Sequence, residues 1–104
     1  MQWLYLVLAI LFEVAGTTSM KASKGFSETV PSVLMFVFYI NSIIFLTLAL
    51  KKVDVSVAYA IWSGLGTVLI AIIGIVYFSE SLSMLKGISI FLIIAGVVGL
   101  KISY

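Results

Sequence analysis

The sequence contains no cysteine, no histidine and only one proline, and it has few charges. Without cysteine it forms no disulfide, and without histidine it lacks the usual metal ligand and general base. Charged residues make up 10% of the 104 residues, whereas hydrophobic residues make up 63%. A soluble domain this small needs far more polar surface, and six scattered lysines form no nucleic-acid-binding patch. The composition excludes a soluble monomer, a disordered chain and a nucleic-acid-binding protein, and it indicates a protein of the lipid bilayer.

Long uncharged runs divide the chain into four segments. A helix needs roughly 20 residues to cross a ~30 Å hydrocarbon core. The apolar runs are continuous rather than alternating, which excludes a membrane β-barrel. The first run has no basic leader and carries a carboxylate, which argues against a signal peptide. We therefore predict an all-α membrane protein in which residues 1–104 form a single domain of four transmembrane helices, with spans at about 3–21, 30–50, 55–78 and 82–101.

The lysines are divided evenly between the two sides of the membrane. One side would carry Lys51, Lys52 and Lys101, and the other Lys21, Lys24 and Lys86. Orientation normally follows the excess of positive charge in short loops, so the tie is either chance in a small sample or a sign that the chain inserts in both orientations. Four helices can hardly enclose a pathway alone, and dual insertion would permit an antiparallel pair. The small residues of Ala95-x-x-x-Gly99 allow a close helix contact, either between two chains or within one.

Glu13 lies near the middle of the first predicted span. A charge at the bilayer centre costs at least ~2.5 kcal/mol, and no lysine lies at the same depth. Its helical neighbours include the small residues Ala9, Gly16 and Thr17, which leave space beside the carboxylate. One reading is a protonated glutamate that is hydrogen-bonded to another helix. The other is a site for which a proton and a cation compete, because loss of hydration penalises the unpaired ionised carboxylate.

Aromatic and small residues follow one face of the third predicted helix. Aromatic rings attract cations, although such a face equally serves helix packing. Gly64 and Gly66 permit either a bend or close packing. The face comprises Tyr59, Trp62, Ser63, Gly66 and Ile70, and the second helix adds Tyr39 and Ser42.

Enzymatic function is not indicated by any motif. The sequence has no nucleophile–base pair, metal-ligand cluster or phosphate-binding loop. We therefore expect neither an enzyme nor a cofactor or metal.

Two motifs resemble those of the small multidrug resistance (SMR) family. Residues 12–21 (FEVAGTTSMK) resemble its first-helix motif, and residues 57–66 (VAYAIWSGLG) resemble its third-helix motif. Chain length and loop sizes agree, so the resemblance covers essentially the whole chain. It is strongest to the branch that exports quaternary ammonium compounds, since the guanidinium-exporting branch usually has Trp in place of Gly16.

The resemblance implies a proton-coupled antiporter of the bacterial inner membrane that exports lipophilic and quaternary ammonium cations. Glu13 would be shared by protons and substrate in alternating access, within an antiparallel homodimer of dual topology. Gly64 and Gly66 would form a conformational kink. The substrate chamber would comprise Ala9, Ile10, Gly16, Thr17, Tyr39, Ser42, Tyr59, Trp62 and Ser63. The dimer contact would comprise Ser89, Leu92, Ile93, Gly96 and Val97.

Two features depart from the family pattern, and two other functions remain open. Ser89 replaces a glycine that is common at the dimer contact, and Asp54-Val55-Ser56 replaces a Pro-x-Gly turn. The chain could instead export a small hydrophilic cation, such as guanidinium or a polyamine. It could also be a non-transporting accessory subunit of a heteromeric pair.

Overall fold

Four long helices make up nearly all of the chain. The computed structural model describes residues Met1–Ser103, and this described part contains no β-strand. Each helix is long and apolar enough to cross a membrane, which confirms the predicted all-α architecture of four spans. In chain order the helices are α1 (Gln2–Ala22), α2 (Thr29–Ala49), α3 (Val55–Tyr77) and α4 (Met84–Ser103).

The start of α4 differs from the predicted position by two residues. The backbone N–H of Lys86 donates to Ser83 Oγ at 3.1 Å, so Ser83 satisfies one of the free donors of the first turn and the helix begins at Met84. The ammonium of Lys86 donates to the Ser81 carbonyl at 2.6 Å. The lysine therefore extends back toward the loop, as a cation at a membrane boundary does.

The chain forms a thin layer that measures 42 × 35 × 16 Å along its principal axes. Helix α1 packs most extensively against α2 and also against α3, while α4 packs against α3. Helix α4 contacts only α3 among the described helices, and none of its described residues is buried. A single chain therefore leaves one side of the bundle uncovered. The buried hydrophobic cluster lies where α1, α3 and the α2–α3 connection meet, and it comprises Leu6, Ile10, Val14, Ala49, Val53, Ala58 and Ile61.

Gly64 allows α4 to approach α3 closely. A Cβ atom at this position would lie 2.9 Å from Val97 Cγ2 and 3.4 Å from Ile93 Cγ2. Ile93 and Val97 therefore pack against α3 within the chain, whereas the other three residues of the predicted dimer contact, Ser89, Leu92 and Gly96, are exposed. None of the described residues of α4 is buried, and the dimer contact stays a prediction.

Candidate functional site

The Glu13 carboxylate lies between α1 and α3. Thr17, one turn further along α1, donates its hydroxyl to Glu13 Oε1 at 3.1 Å. The second oxygen, Oε2, is buried and has no hydrogen-bond partner among the described residues. It lies against Gly66 of α3, where an added Cβ atom would be only 2.5 Å from it. One oxygen of this carboxylate is therefore held in place, and the other is desolvated without a donor.

Tyr39 connects α2 to this carboxylate through Thr17. The Tyr39 and Thr17 hydroxyls share a hydrogen bond of 2.5 Å in which either oxygen can donate. When Thr17 donates to Glu13, Tyr39 supplies the proton of that bond, and the three groups form a chain of hydrogen bonds. The ring of Tyr39 lies on Gly16, where a Cβ atom would be 3.1 Å from Cδ1. Gly16 thus makes room for the ring that reaches Thr17.

A second polar network lies one helical turn away from Glu13, around Ser42 of α2. Ser42 is fully buried. Its hydroxyl donates to the Ala9 carbonyl of α1 at 2.6 Å and accepts a hydrogen bond from Trp62 Nε1 of α3 at 3.2 Å. The indole of Trp62 is therefore fixed relative to all three helices, because each polar atom in this apolar surrounding has a partner.

Tyr59 and Trp62 form an aromatic pair on α3. Their ring centroids are 5.4 Å apart with planes inclined by 50°, a tilted arrangement that aromatic pairs favour. Trp62 is half-buried, whereas 57% of the Tyr59 surface is exposed. The pair therefore presents one ring to the core of the chain and one to its surface.

The structure divides the predicted chamber residues between separate groups. Gly16, Thr17 and Tyr39 meet at Glu13 together with Gly66. Ala9, Ser42, Trp62 and Tyr59 form the second group, and Ile10 lies in the buried hydrophobic cluster. Ser63 instead donates its hydroxyl to the Tyr59 carbonyl at 2.8 Å, along its own helix. The predicted kink stays untested, since both glycines have a packing reason for being small.

Glu80 lies in the loop between α3 and α4 and is exposed. Its carboxylate lies against Gly74 of α3, where a Cβ atom would be 2.5 Å from Glu80 Oε1. Glu80 also lines a cavity of about 580 Å³ that Thr17 lines from the other side. The only sequence signal for this arrangement was a glycine six residues before a loop carboxylate, and that signal is weak.

Several known membrane proteins are similar to this chain along nearly its whole length. The family model described as Small Multidrug Resistance protein matches residues 1–93. The chain is 60% identical over 102 residues to the uncharacterized membrane protein YvaE of Bacillus subtilis (strain 168), covering 98% of this chain and 86% of YvaE. It is 45% identical over 98 residues to the multidrug resistance protein EbrB of the same organism, covering 94% and 84%. It is 42% identical over 103 residues to a guanidinium exporter of Yersinia pseudotuberculosis serotype I (strain IP32953), covering 99% of each chain.

Proposed function

This chain belongs to the small multidrug resistance family, and from that membership we propose that it is a proton-coupled antiporter that exports lipophilic organic cations. The family consists of exporters rather than enzymes, and this member is a multi-pass protein of the bacterial inner membrane. Within the family's range of multidrug and small-cation export, we assign quaternary ammonium and related lipophilic cations to this chain. Glu13 is the group that proton and cation share.

The observation that carries the proposal is the buried, unpartnered Oε2 of Glu13. An ionised carboxylate in a membrane span needs a proton, a cation or donors to compensate its charge. Thr17 supplies one donor to Oε1, and Oε2 has none among the described residues. A proton or a cation at this oxygen supplies the missing compensation. Because the two compete for one position, binding of one releases the other, and exchange follows if the site faces one side of the membrane at a time.

The surroundings of Glu13 favour a lipophilic cation. The Tyr39 ring and the Tyr59–Trp62 pair offer aromatic faces on α2 and α3, the two helices that pack against α1 around the carboxylate. Aromatic faces attract cations more strongly when water is excluded. A bulky cation without hydrogen-bond donors can use all of these surfaces, since it requires only one anionic partner.

The open arrangement of the four helices supports a dimer as the transporting unit. Helix α4 packs against α3 alone among the described helices, so the four helices do not close into a ring around a pathway. The exposed side of α4 carries the small residues Ala95, Gly96 and Gly99, a pattern that permits close helix contacts. The even distribution of lysines supports insertion in both orientations. We assign to this chain an antiparallel homodimer in which each copy contributes one Glu13.

Dual topology predicts that each loop is accessible from both sides of the membrane. The sequence has no cysteine, so Ser27→Cys in the α1–α2 loop and Ser56→Cys at the start of α3 each introduce a unique thiol. In intact cells, we expect a membrane-impermeant maleimide to label about half of the chains in either variant, since neither orientation is favoured. The two positions control for each other. Complete labelling of one variant and none of the other would show a single orientation.

Export of guanidinium is a second candidate, which the relative named guanidinium exporter favours. The two candidates differ in the substrate that drives current across proteoliposomes on a solid-supported membrane. We expect kcat/KM for tetrapropylammonium to exceed that for guanidinium by at least roughly 10-fold, since apolar surface discriminates between ligands on this scale. The reverse order would assign the chain to guanidinium export. No current with either cation from this chain alone would favour an accessory subunit.

A further inference from the structure

A cavity at one end of the helix bundle extends from the loops toward Glu13. It has a volume of about 580 Å³ and lies between the C-terminal halves of α1 and α3. Thr17, whose hydroxyl is bonded to Glu13 Oε1, lines its inner end. Residues of the α1–α2 and α3–α4 connections line its outer end. We refer to it as the loop-end cavity, and it connects the membrane boundary with the hydrogen-bond partner of the central carboxylate.

The chain around Ser79 turns Glu80 back over α3. Ser79 adopts a left-handed conformation with φ of 56°, which reverses the chain direction just after the helix. The backbone N–H of Glu80 then donates to the Gly74 carbonyl at 3.0 Å. The carboxylate lies against Gly74, where an added Cβ atom would be 2.5 Å from Oε1 and 2.9 Å from Cδ. The absence of a side chain at position 74 is therefore what lets this carboxylate lie on the helix surface at the cavity.

The charged residues that line the loop-end cavity are two lysines and one carboxylate, that of Glu80. Lys21 and Lys24 line the cavity and are exposed, so they repel a positively charged ligand at its outer end. Glu80 is the only carboxylate among the described residues that line it. Charges at the mouth of a cleft change the local concentration of a charged ligand and its association rate by about 10- to 1000-fold in favourable cases. Among the described lining residues, Glu80 therefore supplies the one negative charge that can hold a cation in this cavity.

We propose that Glu80 is an outer binding residue that receives the organic cation at the loop-end cavity before it reaches Glu13. The inference rests on the proposed cation transport and adds a second, transient anionic site to it. Because Glu80 is exposed, it holds the cation weakly and passes it on. In an antiparallel pair, one loop-end cavity opens to each side of the membrane, so both loading and release meet a Glu80.

The test compares Glu80→Gln with Glu28→Gln in proteoliposomes. Glu28 is an exposed carboxylate next to the α1–α2 loop that does not line the cavity, so its variant controls for loss of one negative charge on the same side. At low ionic strength, we expect Glu80→Gln to raise KM for tetrapropylammonium by roughly 3- to 10-fold with little change in kcat. The difference in KM between Glu80→Gln and wild type becomes smaller in about 0.3 M salt, because salt screens exposed charges. Glu80→Asp retains the negative charge, so we expect its KM to be closer to that of wild type.

Three results would overturn the inference. The first is that Glu80→Gln and Glu28→Gln have the same KM for tetrapropylammonium at low ionic strength. The second is that the rise in KM of Glu80→Gln persists unchanged in high salt. The third is that Glu80→Asp has the same KM as Glu80→Gln. Each of these leaves wild-type transport intact, so the proposed function survives. If the wild-type chain transports no cation, both the proposed function and this inference are wrong. The wild-type measurement therefore distinguishes a failure of the proposed function from a failure of the inference alone.

Discussion

Replacing Glu13 with glutamine is expected to abolish cation binding and transport. Glutamine has nearly the same shape and keeps an oxygen that accepts the Thr17 hydroxyl, so the substitution removes the charge and the titratable proton while preserving the packing. A charge pair that loses one partner in a desolvated site costs about 3–5 kcal/mol. We therefore expect affinity for tetrapropylammonium to fall by at least about 100-fold, as measured by isothermal titration calorimetry of purified protein.

Glu28→Gln is the matched control for this substitution. It makes the same chemical change in an exposed carboxylate at the start of α2, and we expect wild-type affinity from it. Affinity retained by Glu13→Gln within a few-fold of wild type would contradict the assignment of Glu13 as the cation partner. A loss of affinity in both variants would indicate a general effect of net charge instead.

Gly66→Ala is expected to displace the Glu13 carboxylate and to reduce transport at least about 10-fold, as a misplacement of about 1 Å at a reacting group can do. The new Cβ atom would lie 2.5 Å from Glu13 Oε2 and 3.3 Å from Cδ, closer than nonbonded atoms approach. The overlap is with the end of a flexible side chain, so the carboxylate moves and the helices keep their positions. The measurement is the initial rate of tetrapropylammonium-driven current in proteoliposomes.

Gly87→Ala controls for the change from glycine to alanine in a helix. An added Cβ atom at Gly87 of α4 meets nothing within 4 Å, and alanine favours the helix in both positions. We expect Gly87→Ala to transport at the wild-type rate, and both variants to elute from size-exclusion chromatography as wild type does. Wild-type current from Gly66→Ala would show that the position of the Glu13 carboxylate is not set by its contact with α3.

The four helices were predictable because the bilayer dictates their length. An uncharged, apolar run of about 20 residues has the length of a membrane span, and within the bilayer the helix satisfies all of its backbone hydrogen bonds. The exact start of α4 was not predictable from apolar length, since a local hydrogen bond from the Lys86 N–H to Ser83 sets it. The positions of the charged residues thus predict the spans, whereas a capping hydrogen bond determines where α4 begins.

Part of the candidate site could be predicted from α1 alone. Glu13 stands out because a carboxylate in a span is costly, and Thr17 lies one turn away on the same face. The contacts with Tyr39 and Gly66 depend on how α2 and α3 are rotated about their axes. In helices that are apolar on all sides, hydrophobic periodicity does not specify that rotation. The contact of Glu80 with α3 could not be predicted for a related reason, because it follows from the conformation of Ser79 and the absence of a side chain at Gly74.

Proton release on cation binding is the direct readout of competition between a proton and a cation for Glu13. Purified protein in weakly buffered detergent solution is mixed with tetrapropylammonium, and the pH change is recorded with an indicator dye. We predict that wild type and Glu28→Gln release protons in proportion to the cation bound, and that Glu13→Gln releases none. Proton release that persists in Glu13→Gln, or cation binding by wild type without proton release, would show that proton and cation do not compete for Glu13.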